Sequence, residues 1–274
     1  MPQGSCLSPL LFNIFVRELP SCTSSDILQF ADDVSASEHD QSVDVVKHKL
    51  STTFSQLSEF FGSRGMKVNP SKTQFIVFKV PTKRLPDPVT ISLIGVDISA
   101  SNSVKLLGVT LDRHLTFAKE VRTTVSRCHG LLGLLRRAAP LLPKELLKLA
   151  FTALIRTHLE YCSGLLISVA KTHTIKLEIV QKIASRIICQ MPRNAHSAPL
   201  LEELHLESLE KRRKDHVSDI VLRVLQGRCH PALRHLFITD GTGRIVLQSR
   251  PVTASGRKRF SYVAAELYNA QVQL

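Results

Sequence analysis

The chain has 274 residues, 43% of them apolar, with mean hydropathy near zero and a formal net charge of +13. That length supports a sizeable core and two lobes, and no run approaches the roughly 18 apolar residues that a membrane span needs. The start, Met1-Pro2-Gln3-Gly4, has neither the basic nor the apolar region of a signal peptide, so an intracellular protein is expected.

In chain order, Pro2-Gln3-Gly4-Ser5 comes first and a helix follows. Ser8 reads as its N-cap and Pro9 as its first helical residue, where the missing N–H costs nothing. Gly4, just before, lets backbone approach a ligand closely. A loop over 20–25 leads into Asp26-Ile27-Leu28-Gln29, then Phe30-Ala31-Asp32-Asp33, then Val34-Ser35-Ala36. This is a tight β-hairpin with two acids at its tip. A lone Asp-Asp pair is usually a solvated turn, because unpaired acids prefer water to burial.

Val43, Val46, Leu50, Phe54, Leu57 and Phe61 then form one apolar stripe on a helix of about five turns, which Gly62 or Gly65 ends. That stripe is core packing. Asn69-Pro70-Ser71 makes a turn, and Thr73 to Phe78 reads as a buried strand with Lys72 at the junction. Weak strands at Val89-Thr90-Ile91 and Val96-Asp97-Ile98 suggest a peripheral hairpin, and Val104 to Leu111 another that turns at Gly108. Together these predict an α/β unit over residues 1–112, a mixed sheet with helices on one face.

Beyond Asp112 the pattern is helical to Leu225. Val121, Val125, Cys128, Leu132 and Leu135 mark one helix, broken by Pro140 and Pro143, with Lys119, Arg122, Arg127, Arg136 and Arg137 around it. Leu147, Phe151, Leu154 and His158 mark the apolar face of a second. Ile175, Ile179, Ile183 and Ile187 mark a third, flanked by Lys176, Lys182 and Arg186. Leu200 to Leu204 and Leu209 to Leu225 are two more, and residues 226–274 look like loops and a basic tail.

Six scattered cysteines with no Cys-x-x-Cys pair fit free buried thiols, so neither a disulfide nor a zinc partner is expected. Charge is unevenly placed: ten Lys and Arg face eleven Asp and Glu through Asp112, and twenty-six face twelve after it. A strongly basic second half behind a neutral first half argues for a polyanion partner, most simply nucleic acid. The alternative is a helical scaffold whose charge serves only solvation. The chain has no Gly-x-Ser-x-Gly, no phosphate loop and no His-Glu-x-x-His.

Four blocks in order, Pro2-Gln3-Gly4, Phe30-Ala31-Asp32-Asp33, Asn69-Pro70-Ser71-Lys72-Thr73 and Leu107-Gly108, resemble those of reverse transcriptases, most closely the non-LTR retrotransposon type. The resemblance implies a partial palm followed by a helical thumb, with RNA template, RNA–DNA duplex and deoxynucleoside triphosphate as partners and Mg²⁺ as cofactor. It makes Asp32 the main metal ligand and catalytic carboxylate of the hairpin, and Asp33 a weaker, more distant one. Pro2, Gln3, Gly4, Phe30 and Ala31 would lie beside nucleotide and template. Lys72 takes the position of a lysine that protonates departing pyrophosphate, a solvated turn lysine being the other reading. Lys119, Arg122, Arg127, Arg136, Arg137, Lys182 and Arg186 would contact nucleic acid.

The family's further acid comes from an Asp-x-x-x-x-Phe/Tyr block ahead of Pro-Gln-Gly, where this chain begins. The expectation is therefore a fragment of an RNA-directed DNA polymerase, inactive alone, its Met1 an internal methionine of a longer polyprotein. The alternative is a noncatalytic nucleic-acid-binding remnant of a decayed element. Asp112 to Phe117 matches Asp-x-x-x-x-Phe but follows the hairpin, where the family has a stretch with a structural role.

Overall fold

The structure is a computed structural model that describes residues 4–85, 88–93, 95–246, 251, 253 and 256–272. The chain forms two compact units, Met1–Val104 and Lys105–Leu274.

In the first unit, α1 (Ser8–Phe15) has Pro9 in its first turn, where a missing N–H breaks no bond. Ser8 is already helical, and the cap position falls to Leu7, which has no capping side chain. None of α1 is buried: Leu10, Leu11, Ile14 and Phe15 all stand exposed. Strands β1 (Asp26–Phe30) and β2 (Asp33–Ser37) pair antiparallel, from Asp26 opposite Ser37 to Phe30 opposite Asp33. Helix α2 (Val43–Ser63) serves two small cores. Leu57 and Phe60 pack with Leu19, Ile27 and Val34, while Val43, Leu50 and Phe54 pack with Phe75, Ile91 and Leu93. Gly65 ends α2 at φ 72°, with its N–H on the Gly62 carbonyl at 3.0 Å and Met66 N–H on that of Phe61 at 2.9 Å. Only a residue at ease with positive φ closes that pair of bonds cheaply. The peripheral hairpin is β3 (Thr90–Leu93) against β4 (Val96–Ser99).

The mixed sheet does not form: the strands among the described residues make four separate two-stranded sheets. Thr73 to Phe78 is extended but is no strand. A ladder needs repeated paired bonds; Ser101 N–H donates to the Phe75 carbonyl at 2.8 Å, but no ladder forms beside it.

The chain passes from the first unit to the second within β5 (Ser103–Leu106), which pairs with β6 (Val109–Asp112). Leu107 and Gly108 form the turn, both at positive φ (46° and 86°), as a two-residue hairpin requires. Tyr161 donates its hydroxyl to the Leu107 carbonyl at 2.6 Å, and its ring lies 3.6 Å from where a Gly108 Cβ would stand. Helix α3 (Ala118–Ala138) buries Val121, Cys128, Leu132 and Leu135 against the body of the unit.

Next come α4 (Lys144–Ala150), a π-helical segment Phe151–Arg156 and α5 (Thr157–Glu160). The buried face there is Leu147, Phe151, Ile155 and Leu159, whereas Leu154 is 58% exposed. The wider π turn advances the buried position by four residues at each step, which displaces the expected face at Leu154 and His158. Helix α6 (Lys171–Ile188) departs from expectation in its first half: Leu177, Val180, Ala184, Ile187 and Ile188 are buried and Ile183 packs against the core, whereas Ile175 and Ile179 are exposed. Residues repeating every four positions drift about 40° per step around an α-helix, so four isoleucines cannot hold one face.

α7 (Ser197–Glu203) and α8 (Leu209–Leu225) follow, with the Ser208 hydroxyl accepting from Lys211 N–H at 3.2 Å. The 226–274 stretch, expected as loops, holds a short pair β7 (Ile238–Thr239) and β8 (Ile245–Val246) and a helix, α9 (Phe260–Val272). Ala264 and Ala265 are fully buried in a core with Val217 and Val221 of α8. No helix among the described residues is long and apolar enough to cross a membrane.

Candidate catalytic hairpin and nucleic-acid interface

The pairing of Phe30 with Asp33 leaves Ala31 and Asp32 as a two-residue turn, with Asp33 already on β2. Ala31 sits at φ 52°, a region few residues other than glycine occupy, and the Gln29 side-chain amide donates to its carbonyl at 3.1 Å. Phe30, Ala31, Asp32 and Asp33 are all exposed, and neither carboxylate has an ion pair or hydrogen-bond partner among the described residues. At its other end the hairpin is anchored. The Ser25 hydroxyl donates to Glu38 and meets the Thr53 hydroxyl of α2, which Thr23 also reaches at 3.2 Å. A foot tied by a buried hydroxyl cluster holds up a tip of bare carboxylates.

Gly4 lies at φ 90°, exposed, with open space where a side chain would begin. Pro2 and Gln3 lie outside the described residues. Lys72 is exposed at the end of a 3₁₀ turn, Pro70–Lys72, whose Asn69 side chain accepts from Ser71 N–H at 3.0 Å. No ion pair or hydrogen bond joins Lys72 to Asp32 or Asp33 among the described residues. The structure thus gathers the four hairpin residues and leaves Lys72 on a separate turn.

Asp112 is engaged otherwise. Its carboxylate accepts from the N–H groups of His114 (3.1 Å), Thr116 (3.1 Å) and Phe117 (2.7 Å) and from the Thr116 hydroxyl (3.0 Å). Burial pushes its pKa up, but these donors outweigh burial and the net shift is downward. They fix the loop that launches α3 from Phe117 at φ 56°.

A family model described as reverse transcriptase (RNA-dependent DNA polymerase) matches residues 1–111. Residues 1–111 are a reverse-transcriptase domain. The chain is similar to the probable RNA-directed DNA polymerase from transposon BS of Drosophila melanogaster, 27% identical over 95% of this chain and 29% of that protein. The counterpart from transposon X-element of the same fly is 34% identical over 44% of this chain and 14% of its own length. The polymerase from mobile element jockey, also of that fly, is 26% identical over 70% and 22%. The chain therefore covers less than a third of the length of these relatives. No solved structure matches.

Reverse transcriptases typically use Mg²⁺. The ion takes octahedral oxygen ligands presented at close quarters, and among the described residues no three His, Cys, Asp or Glu side chains converge to hold a metal. Asp32 and Asp33 alone do not make a full site.

After the reverse-transcriptase match, the expected basic residues spread over two helices. Lys119, Arg122, Arg127, Arg136 and Arg137 are exposed on α3, and Lys182 is exposed and Arg186 half-buried on α6. Arg136 and Arg186 share one groove with His129 and Arg193, which the sequence reading passed over. The signal available was the spacing of Arg122, His129, Gly133 and Arg136, which recur on one helical face. Cys128, one residue before His129 on α3, turns into the core: it is fully buried, and burial pushes its thiol up to about 11 despite nearby Arg127. That thiol is inert at neutral pH.

Proposed function

We propose that this chain is the part of a non-LTR retrotransposon's RNA-directed DNA polymerase that carries the Ala-Asp-Asp hairpin and the thumb that follows it. The observation that carries this reading is the hairpin itself. A two-residue turn holds Asp32 at the tip, with the Asp33 carboxylate beside it, and both are exposed and without an ion pair or hydrogen bond among the described residues. An acid kept for structure would be tied up as Asp112 is. In this reading Asp32 is the principal metal-facing carboxylate and Asp33 the lesser one. Lys72, Gly4 and the other Pro-Gln-Gly residues serve nucleotide and template. RNA template, deoxynucleoside triphosphate and RNA–DNA duplex are the partners. The basic helices of the second unit grip nucleic-acid backbone, a contact that needs no metal and little sequence preference.

Two carboxylates do not hold the ions of nucleotide transfer, so the expected behaviour of this chain by itself is no polymerase activity. The test is primer extension on an RNA template with Mg²⁺, beside a salt titration of duplex binding. Expected are no extension and binding that weakens steeply with salt. Robust extension that disappears in Asp32→Asn would overturn the inactivity, and salt-insensitive binding would overturn the role of the basic helices. The partial donor set also favours a second reading, a binding protein left by a decayed element. An open frame upstream of Met1 encoding Asp-x-x-x-x-Phe/Tyr would exclude it.

A further inference from the structure

A groove of about 450 Å³ lies in the second unit between α3 and α6. Its apolar lining is Leu132, Ile183, Ile187 and Met191, and its basic lining is His129, Arg136, Arg186 and Arg193. Among the described residues no acidic residue lines it. Arg136 and Arg193 are exposed and have no partner among the described residues. Arg186 is held in place, with its Nε donating to the Ala195 carbonyl at 2.7 Å and an Nη to that of Lys182 at 3.3 Å. A guanidinium has five N–H donors, so the remaining ones are available on a fixed fork.

Gly133 is the least expected lining residue. Glycine inside a helix costs stability relative to alanine, and nothing lies within 4 Å of where its Cβ would stand. None of the described residues requires the missing side chain. Its effect is to leave the groove open along α3.

We propose that this groove takes one unpaired nucleotide of a single-stranded nucleic acid, its phosphates on Arg136, Arg186 and Arg193 and its base on the apolar lining. Guanidinium forks match phosphate oxygens in pairs. A base offers a flat apolar face at a size that suits a cavity of roughly 300–1,000 Å³. In a duplex those faces are stacked against neighbours, and only an unpaired base is free to enter. An acidic peptide would satisfy the arginines but bring no flat face to Leu132, Ile183 and Ile187. The inference rests on the reading that the second unit binds nucleic acid, and adds a distinct subsite for a single strand.

The experiment is fluorescence anisotropy on the full chain, with a labelled oligouridylate and an RNA–DNA duplex of the same length. Gly133→Leu fills the groove with a good helix former and leaves charge unchanged. It is expected to weaken oligouridylate binding about tenfold or more while duplex binding stays within about twofold of wild type. Arg193→Gln, on an exposed loop where folding is not at stake, should weaken single-strand binding and reduce its salt slope by about 0.7. Unchanged oligouridylate binding in both variants overturns the proposal, as does displacement of the oligonucleotide by oligoglutamate at equal concentration. Wild-type binding of duplex but not single strand overturns this subsite and leaves the broader reading standing. Binding of neither at low salt removes both.

Discussion

Phe30 stands opposite Asp33 on the last rung of the β1–β2 hairpin, and this one pairing makes the two neighbouring carboxylates inequivalent. Asp33 belongs to the ladder, and its side chain direction follows the alternation of β2. Asp32 belongs to the turn, and its position follows the backbone of Ala31.

That backbone is strained, which makes the turn testable. Ala31 at φ 52° carries a Cβ where a left-handed conformation penalises it by about 1–2 kcal/mol. Ala31→Gly should relieve roughly 1 kcal/mol of this, less the extra entropy glycine loses on folding. Amide hydrogen exchange at Asp33 would report the change as slower opening of the hairpin. Faster exchange would mean that the alanine side chain holds the turn through contacts that outweigh its strain.

Asp112 supplies a pH dependence with a definite sign. Its folded pKa lies below the ordinary value because four donors favour the carboxylate more than burial disfavours it. Its stabilisation is therefore complete above the unfolded pKa of about 3.9 and is lost as pH falls towards the lower folded value. Asp112→Ala should cost about 2–3 kcal/mol at neutral pH, read by urea unfolding. Much of the difference between variant and wild type should vanish in acid. A difference that persists unchanged once the carboxylate is protonated in both states would rule it out as the source.

Much of this was legible where the signal is local. The Ala-Asp-Asp turn, the end of α2 at Gly65 and the Leu107-Gly108 turn are each set by a few adjacent residues whose φ requirements can be read directly. The mixed sheet was not legible, because pairing Thr73 to Phe78 depends on a neighbour that the stretch itself does not specify. Helix α9 escaped notice because its innermost residues are Ala264 and Ala265, too small to raise an apolar pattern. The groove was hidden for another reason: His129 and Arg193 lie far apart in sequence and meet only through the packing of α3 on α6.

The buried face through the π segment gives a direct contrast. Ile155 is buried at 1% exposure and Leu154 is not. Ile155→Ala should destabilise the second unit by about 3 kcal/mol, and Leu154→Ala by under about 0.5 kcal/mol, in thermal or urea unfolding. An α-helix continued from Leu147 would bring Leu154 onto the buried face and turn Ile155 away from it, and the two costs would be reversed or equalised.

The same segment bears on how the chain tolerates changes in length. From Leu147 to Leu159 it makes three turns with twelve residues, where an α-helix makes three with about eleven. One residue is therefore surplus to the geometry, carried as a widening between Phe151 and Arg156. Removing Leu154 would let the helix close to its ordinary pitch while Leu147 and the residue now numbered 159 keep their places in the core. A single-codon deletion, ruinous in most buried helices, is at this point a change the fold is already shaped to absorb.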